Sequence, residues 1–142
     1  MIPAWATEML SGLWISCRPP LGEPLLQYGL DVLVACEAEW QPADADFPGM
    51  QILRAPLRDT EPTLEEVAIA RAAASDIVSA VRAGKRVLIQ CAAGFNRSAL
   101  IAALAVRDLL FFDGRGAVIH VQARRPGALN NGYFVKVIEG TA

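Results

Sequence analysis

Val87-Leu88-Ile89-Gln90-Cys91-Ala92-Ala93-Gly94-Phe95-Asn96-Arg97-Ser98 is the stretch from which the rest of this chain can be placed. Its first four residues show no polar alternation, as a central strand covered on both faces requires. The residues from Ser98 to Leu110 are apolar almost all round, and a helix of that kind belongs inside a fold. Between the two lies a short turn of mostly small residues. Strand, turn and helix N-terminus already form an anion site, because successive backbone N–H groups curl round the ligand and the helix end adds partial positive charge. The same field acts on the sulfur of Cys91 and favours thiolate, the nucleophilic form. Arg97, at the far end of the turn, offers paired N–H donors that match an oxyanion, as Lys does not. Gly94 lets the backbone pass close to the anion without a Cβ in the way. A Cys followed six residues later by Arg is a weak signal alone, since an ordinary Cys at a strand end is a buried structural thiol. The strand before it and the helix after it turn the pair into a nucleophile in an oxyanion cradle.

Upstream, Thr63-Leu64-Glu65-Glu66 is a capping box with Thr63 as N-cap and Glu66 at N3. Leu64, Val67, Ala70, Ala74, Ile77, Val78 and Val81 continue from it as one apolar stripe. Gly84 closes this helix, and Lys85 and Arg86 stand at the negative end of its dipole. Nearer the N-terminus, Trp5 to Leu10 and Leu13 to Ser16 flank Ser11-Gly12 and predict a hairpin. Pro24 and Gly29 bound a short helix over Glu23 to Tyr28, which feeds a strand at Val32 to Cys36. Glu37 to Gly49, rich in acids and prolines, predicts an exposed loop before a strand at Gln51 to Arg54. Two further helices are predicted, Gly114 to Arg124 and Asn131 to Glu139, separated by Pro126-Gly127. Strands alternating with helices point to an α/β fold. The expectation is a single domain, 1–142, whose mainly parallel central sheet is flanked by helices.

Length and composition agree with this reading. A chain of 142 residues can bury a sizeable core without disulfides, and 54% hydrophobic with 20% charged residues is a globular composition. A net charge of −2 without a dense basic block argues against broad binding to nucleic acid or to an anionic membrane. Met1 to Trp5 lacks the basic and apolar regions of a signal peptide, and the apolar run Ala99 to Val106 is too short to cross a bilayer. A soluble cytoplasmic protein is expected. Cys17, Cys36 and Cys91 form no CxxC pair, an odd set suited to a reducing compartment. With His120 the only histidine, no zinc site is expected, and no other cofactor is called for. No G-x-S-x-G elbow is present for a serine hydrolase. His120 reads as a helix residue without a catalytic task, Cys36 as a core strand residue, and Trp5, Trp14 and Trp40 as packing residues.

A thiolate that displaces an alkoxide or phenoxide needs an acid to protonate the leaving oxygen. The candidate is Asp59, in Pro56-Leu57-Arg58-Asp59-Thr60-Glu61-Pro62, on a loop between a strand and the capped helix that is placed to close over the pocket. With that residue in view, Cys91 to Ser98 matches the C-x5-R-S/T signature of the protein tyrosine phosphatases. The whole chain resembles their compact dual-specificity branch. Ala6 to Ser16 is similar to its opening hairpin, and Leu53 to Thr60 to its strand and general-acid loop. Arg124-Arg125-Pro126, then Asn130-Asn131-Gly132-Tyr133-Phe134, is similar to its ending. The resemblance implies metal-free, cysteine-dependent phosphomonoester hydrolysis. It makes Cys91 the nucleophile and gives the phosphate to Arg97 with the loop of Ala92, Ala93, Gly94, Phe95 and Asn96. Asp59 becomes the acid of the first step and the base of the second, and Ser98 stabilises the departing thiolate.

One position departs from the family. Where His normally precedes the cysteine, this chain has Gln90, whose amide donates hydrogen bonds but carries no charge. A slower first step is the expectation. The loop interior contains no Lys or Arg, which by the resemblance favours a phosphorylated protein or peptide over an inositide. Phosphotyrosine, with phosphoserine or phosphothreonine in a shallow site, is the expected target; no nucleic-acid or membrane partner is favoured. Arg124 and Arg125 are candidates for a second anionic group, although basic residues late in a helix ordinarily serve its dipole. Two other readings stay open. Gly94-Phe95-Asn96-Arg97 also resembles the loop of RNA 5′-triphosphatases of the capping type, and Gln90 suggests a phosphopeptide-binding pseudophosphatase. The near-neutral charge and Asp59 weigh against the first; retention of Cys91, Arg97, Ser98 and Asp59 weighs against the second.

Overall fold

Alternation of side chains across a pleated sheet is what builds the two cores of this molecule. The computed structural model describes residues 5–22 and 24–140. Its strands are β1 (Ala6–Leu10), β2 (Leu13–Ser16), β3 (Val32–Glu37), β4 (Gln51–Leu57) and β5 (Val87–Gln90), in the sheet order β1-β2-β5-β3-β4. The helices are α1 (Pro24–Gln27), α2 (Leu64–Arg82), α3 (Arg97–Leu109), α4 (Gly114–Arg124) and α5 (Gly132–Glu139). The β1–β2 hairpin is antiparallel and every other pairing is parallel, so the mainly parallel α/β sheet is as expected. Leu13, Ile15, Val32, Val34, Val87 and Ile89 face one way, into a core shared with α2 to α5. Trp14, Leu33 and Leu88 face the other way, onto Leu25, Leu30 and Phe47. β5 lies in the middle with both faces covered, which is why its sequence does not alternate. α3 runs through the larger core, with every residue from Arg97 to Val106 buried.

The capping box forms as read. Thr63 Oγ1 accepts from Glu66 N at 3.1 Å, and Glu66 Oε1 accepts from Thr63 N at 3.1 Å. Glu66 also binds Arg58 Nη2 at 2.8 Å, so the box is tied to the segment that leaves β4. The Arg58 guanidinium, with the backbone N–H groups of Arg58 and Thr63, holds the Glu66 carboxyl down at about 2 against its partial burial.

Four expectations need correction. β4 does not stop at Arg54 but continues through Pro56 to Leu57. It is an edge strand, bonded on one side only, and an edge tolerates a residue without an N–H. Glu37 is not a loop acid: it ends β3 and is fully buried. Within the segment that follows, Asp44–Asp46 forms a single 3-10 turn. Leu64 does not join the apolar stripe of α2; it is 90% exposed, because the first turn of that helix overhangs the core. α1 begins at Pro24, while Glu23 and Met1 to Ala4 lie outside the described residues. Among the described residues no helix is long and apolar enough to cross a membrane.

Candidate active site

The carboxyl ends of the parallel strands converge at Gln90, which is flanked by Ser16 of β2 and Ala35 of β3. That end of a parallel sheet is where α/β folds open a crevice. Cys91 is the last residue tied to the sheet, its N–H donating to Ser16 O at 3.2 Å. Beyond it the chain curls. The Cys91 sulfur accepts from Gly94 N at 3.2 Å and lies 3.2 Å from Ser98 Oγ, in the first turn of α3. It is 2% exposed, sunk at the base of its own loop. Gly94 has a φ of +73°, and a Cβ there would stand 2.7 Å from the Ser16 carbonyl carbon and 2.9 Å from Cys17 N. Both the conformation and the space admit only glycine.

Arg97 opens α3 and extends its guanidinium to Glu39 and to the end of β4. Nη1 donates to Glu39 Oε2 at 2.6 Å and to Leu57 O at 3.1 Å. Among the described residues no partner engages Nε or Nη2, the parallel donor edge that matches two oxygens of a tetrahedral anion. Burial works against the charge of Arg97, but Glu39 outweighs it and the guanidinium is raised above its ordinary value. In return Arg97 holds the Glu39 carboxyl at about 2. Glu39 is therefore a strut for the clamp, a role its place in an acidic stretch did not reveal.

Beside Gln90 lies a buried carboxylate that the sequence reading missed. Glu37 accepts from Arg18 Nε at 2.8 Å and Nη2 at 2.6 Å, and from Gln90 Nε2. Only the amino end of Gln90 can face a carboxylate, so Gln90 Oε1 is left buried without a partner among the described residues. Arg18 reaches over from the rim, stacked on Trp40 at 5.0 Å from the ring centre. Cys36 is fully buried; burial pushes its thiol well up, and the nearby Cys91 sulfur pushes it further. Cys36 thus stays a core thiol within electrostatic reach of the site.

Asp59 is brought to the loop by side chains from two other segments. Its Oδ2 accepts from Asn96 Nδ2 at 3.0 Å, and its Oδ1 from Asn131 Nδ2 at 3.0 Å. Together with Thr60, Asn130, Gly132 and Tyr133 these residues line an open cleft of about 410 Å³. Ala92 and Ala93 form the outer lip of the loop and are exposed. Arg125, rather than merely ending α4, donates to Ala93 O at 3.1 Å and to Thr7 Oγ1 at 2.8 Å, and lies over the Phe95 ring. Arg124 instead bonds His120 within α4, and His120 meets the Met9 carbonyl away from the loop. Every residue proposed from the sequence for the cradle and the acid therefore falls in one locality. The additions are Glu37, Glu39, Arg18 and the bonding role of Asn131. Only their clustering near strand ends could have signalled the two glutamates.

No protein-family model matches the sequence, and no curated protein does. Solved structures do match the fold. Human DUSP28 is 22% identical, over 99% of this chain and 94% of that chain, with a TM-score of 0.82. A mouse putative dual specificity phosphatase, crystallised with zinc tungstate, is 24% identical over 99% of this chain and 87% of that one, at 0.83. A human tyrosine phosphatase-like serine/threonine/tyrosine-interacting protein is 19% identical over 95% and 93%, at 0.79. The hairpin, the parallel sheet and the loop between β5 and α3 thus make up the fold of the dual-specificity branch of the protein tyrosine phosphatases.

Proposed function

We propose that this chain is a cysteine-dependent phosphomonoester hydrolase acting on phosphorylated protein, on phosphotyrosine and, through a shallow site, on phosphoserine or phosphothreonine. The observation that carries the reading is the setting of one sulfur. Cys91 Sγ is held by a loop N–H and a Ser98 hydroxyl at the mouth of a buried helix, with the Arg97 guanidinium within electrostatic reach of it. An anion seated on the guanidinium's Nε–Nη2 edge and on the loop N–H groups presents phosphorus to the sulfur.

In the first step the Cys91 thiolate forms an S–P bond as the P–O bond to the leaving group breaks, and the Asp59 proton passes to the leaving oxygen. Arg97 and the loop amides take up the charge that builds on the equatorial oxygens. In the second step a water attacks the cysteinyl-phosphate, Asp59 takes its proton, and the S–P bond breaks. Ser98 donates a hydrogen bond to the thiolate as it departs. No cation is needed for charge compensation along this route.

The test is hydrolysis of aryl phosphates across pH by wild type, Cys91→Ser and Asp59→Ala. Cys91→Ser should abolish turnover while retaining phosphate binding. Asp59→Ala should lose roughly 10²–10⁴-fold in kcat on esters with basic leaving groups. Phosphopeptide binding without turnover would replace this reading with a binding module. Release of phosphate from triphosphorylated RNA in preference to phosphotyrosine peptide would replace it with an RNA 5′-polyphosphatase.

A further inference from the structure

Asn96 and Asn131 make more hydrogen bonds than a loop residue and a helix cap require, and their polarity is fixed by backbone. Asn96 Oδ1 accepts from Asn131 N at 3.0 Å, so only its Nδ2 can face outward. That nitrogen donates both to Asp59 Oδ2, at 3.0 Å, and to Asn130 Oδ1, at 2.8 Å. Asn131 Oδ1 accepts from Tyr133 N at 3.0 Å, capping α5, which turns its Nδ2 toward Asp59. That nitrogen donates to Asp59 Oδ1 at 3.0 Å and to Thr60 O at 3.1 Å. The turn that carries Asn130 and Asn131 is itself fastened to the anion loop, Leu129 N donating to Phe95 O at 2.8 Å. To reach it Leu129 takes a φ of +59°, a strained conformation for a leucine.

We infer that Asn96 and Asn131 are positioning residues for the general acid. They latch the Asp59 segment to the anion loop and to the turn before α5, so that the acid stands over a bound phosphoryl group before any loop closure. This rests on the phosphatase reading. Its chemical content lies in the duplicate acceptors. During turnover Asp59 alternates between carboxylic acid and carboxylate. The carboxylate accepts at both oxygens. The acid must turn one O–H toward the leaving oxygen, which weakens one of the two amide contacts. Each amide carries a second N–H with an acceptor of its own, Asn130 Oδ1 for Asn96 and Thr60 O for Asn131, so neither amide loses its orientation when one contact to Asp59 weakens. The support holds the acid while tolerating both of its forms.

The decisive measurement is the dependence of kcat/KM on leaving-group basicity. Wild type, Asn96→Ala, Asn131→Ala and Asn131→Asp are compared on phenyl phosphate and on a fluorinated umbelliferyl phosphate, whose leaving group departs without a proton. Asn131→Asp keeps a good N-cap for α5 but sets a carboxylate against Asp59. Each variant should lose about tenfold or more on phenyl phosphate and several-fold less on the fluorinated ester, a fraction of what the acid itself supplies. Combined with Asp59→Ala, Asn131→Asp should cause no further loss, because both act through one group. Equal losses on the two esters, no loss on either, or additive losses with Asp59→Ala would overturn the positioning role. A wild type that hydrolyses neither ester overturns the phosphatase reading along with it.

Discussion

A glutamine in front of Cys91 alters how the buried Glu37 is neutralised. Gln90 gives Glu37 one neutral hydrogen bond and leaves its own Oε1 without a partner among the described residues, so the buried carboxylate draws its countercharge from Arg18 on the rim. A histidine at that position would carry its charge directly between Glu37 and the loop. Gln90→His is expected to move the acidic limb of the kcat/KM profile to lower pH and to raise the rate by about tenfold, roughly 1.4 kcal/mol of barrier. An acidic limb that does not move removes the idea. Cys91, Arg97, Ser98 and Gly94 were legible because their relation is local, a few residues along one turn. Glu37 was not, because the residue that makes its burial tolerable, Arg18, lies 19 positions away and across a helix. Asn131 reads in the sequence as a helix start and part of an ending, because its partner Asp59 is 72 positions distant.

Among the elements, those with their own caps could be bounded from sequence. α2 starts at the Thr63–Glu66 box, where Thr63 and Glu66 each accept from the other's backbone N–H. What those signals cannot convey is which turn of a helix meets the core, so Leu64 was counted in a stripe that it does not join. The end of β4 was missed for a similar reason, since a proline stops a central strand but not an edge, and edge position belongs to the sheet. The turn between α3 and α4 carries a visible cost. Phe111 has a φ of +57° and is 87% exposed, so it takes on backbone strain without packing in return. Phe111→Gly should raise stability by about 1 kcal/mol, or a few degrees in Tm, read by thermal unfolding. A fall in Tm would show that the phenyl ring holds the turn.

For the molecule as a whole, two ion-paired glutamates set how acid unfolds it. Glu39 and Glu66 are both held at about 2, first by the hydrogen bonds of Arg97 and Arg58 respectively. Because their native values lie below the unfolded value near 4.5, their contributions are complete above that pH and are lost as pH falls toward 2. Glu66→Gln should lower the urea midpoint at pH 7 and flatten its decline between pH 5 and 2; a decline as steep as that of wild type would assign acid unfolding elsewhere. Strand order was the least legible part of the fold, since nothing in the periodicity places β5 between β2 and β3. That placement has a consequence at Gly94. The wall behind Gly94 is the main chain of Ser16 and Cys17, which every amino acid possesses, with the Arg125 guanidinium beside it, and Gly94 itself has no side chain to vary. At this one point of the loop, backbone faces backbone. A changed side chain at Ser16 or Cys17 leaves those wall atoms present, whereas any residue but glycine at position 94 must push them back.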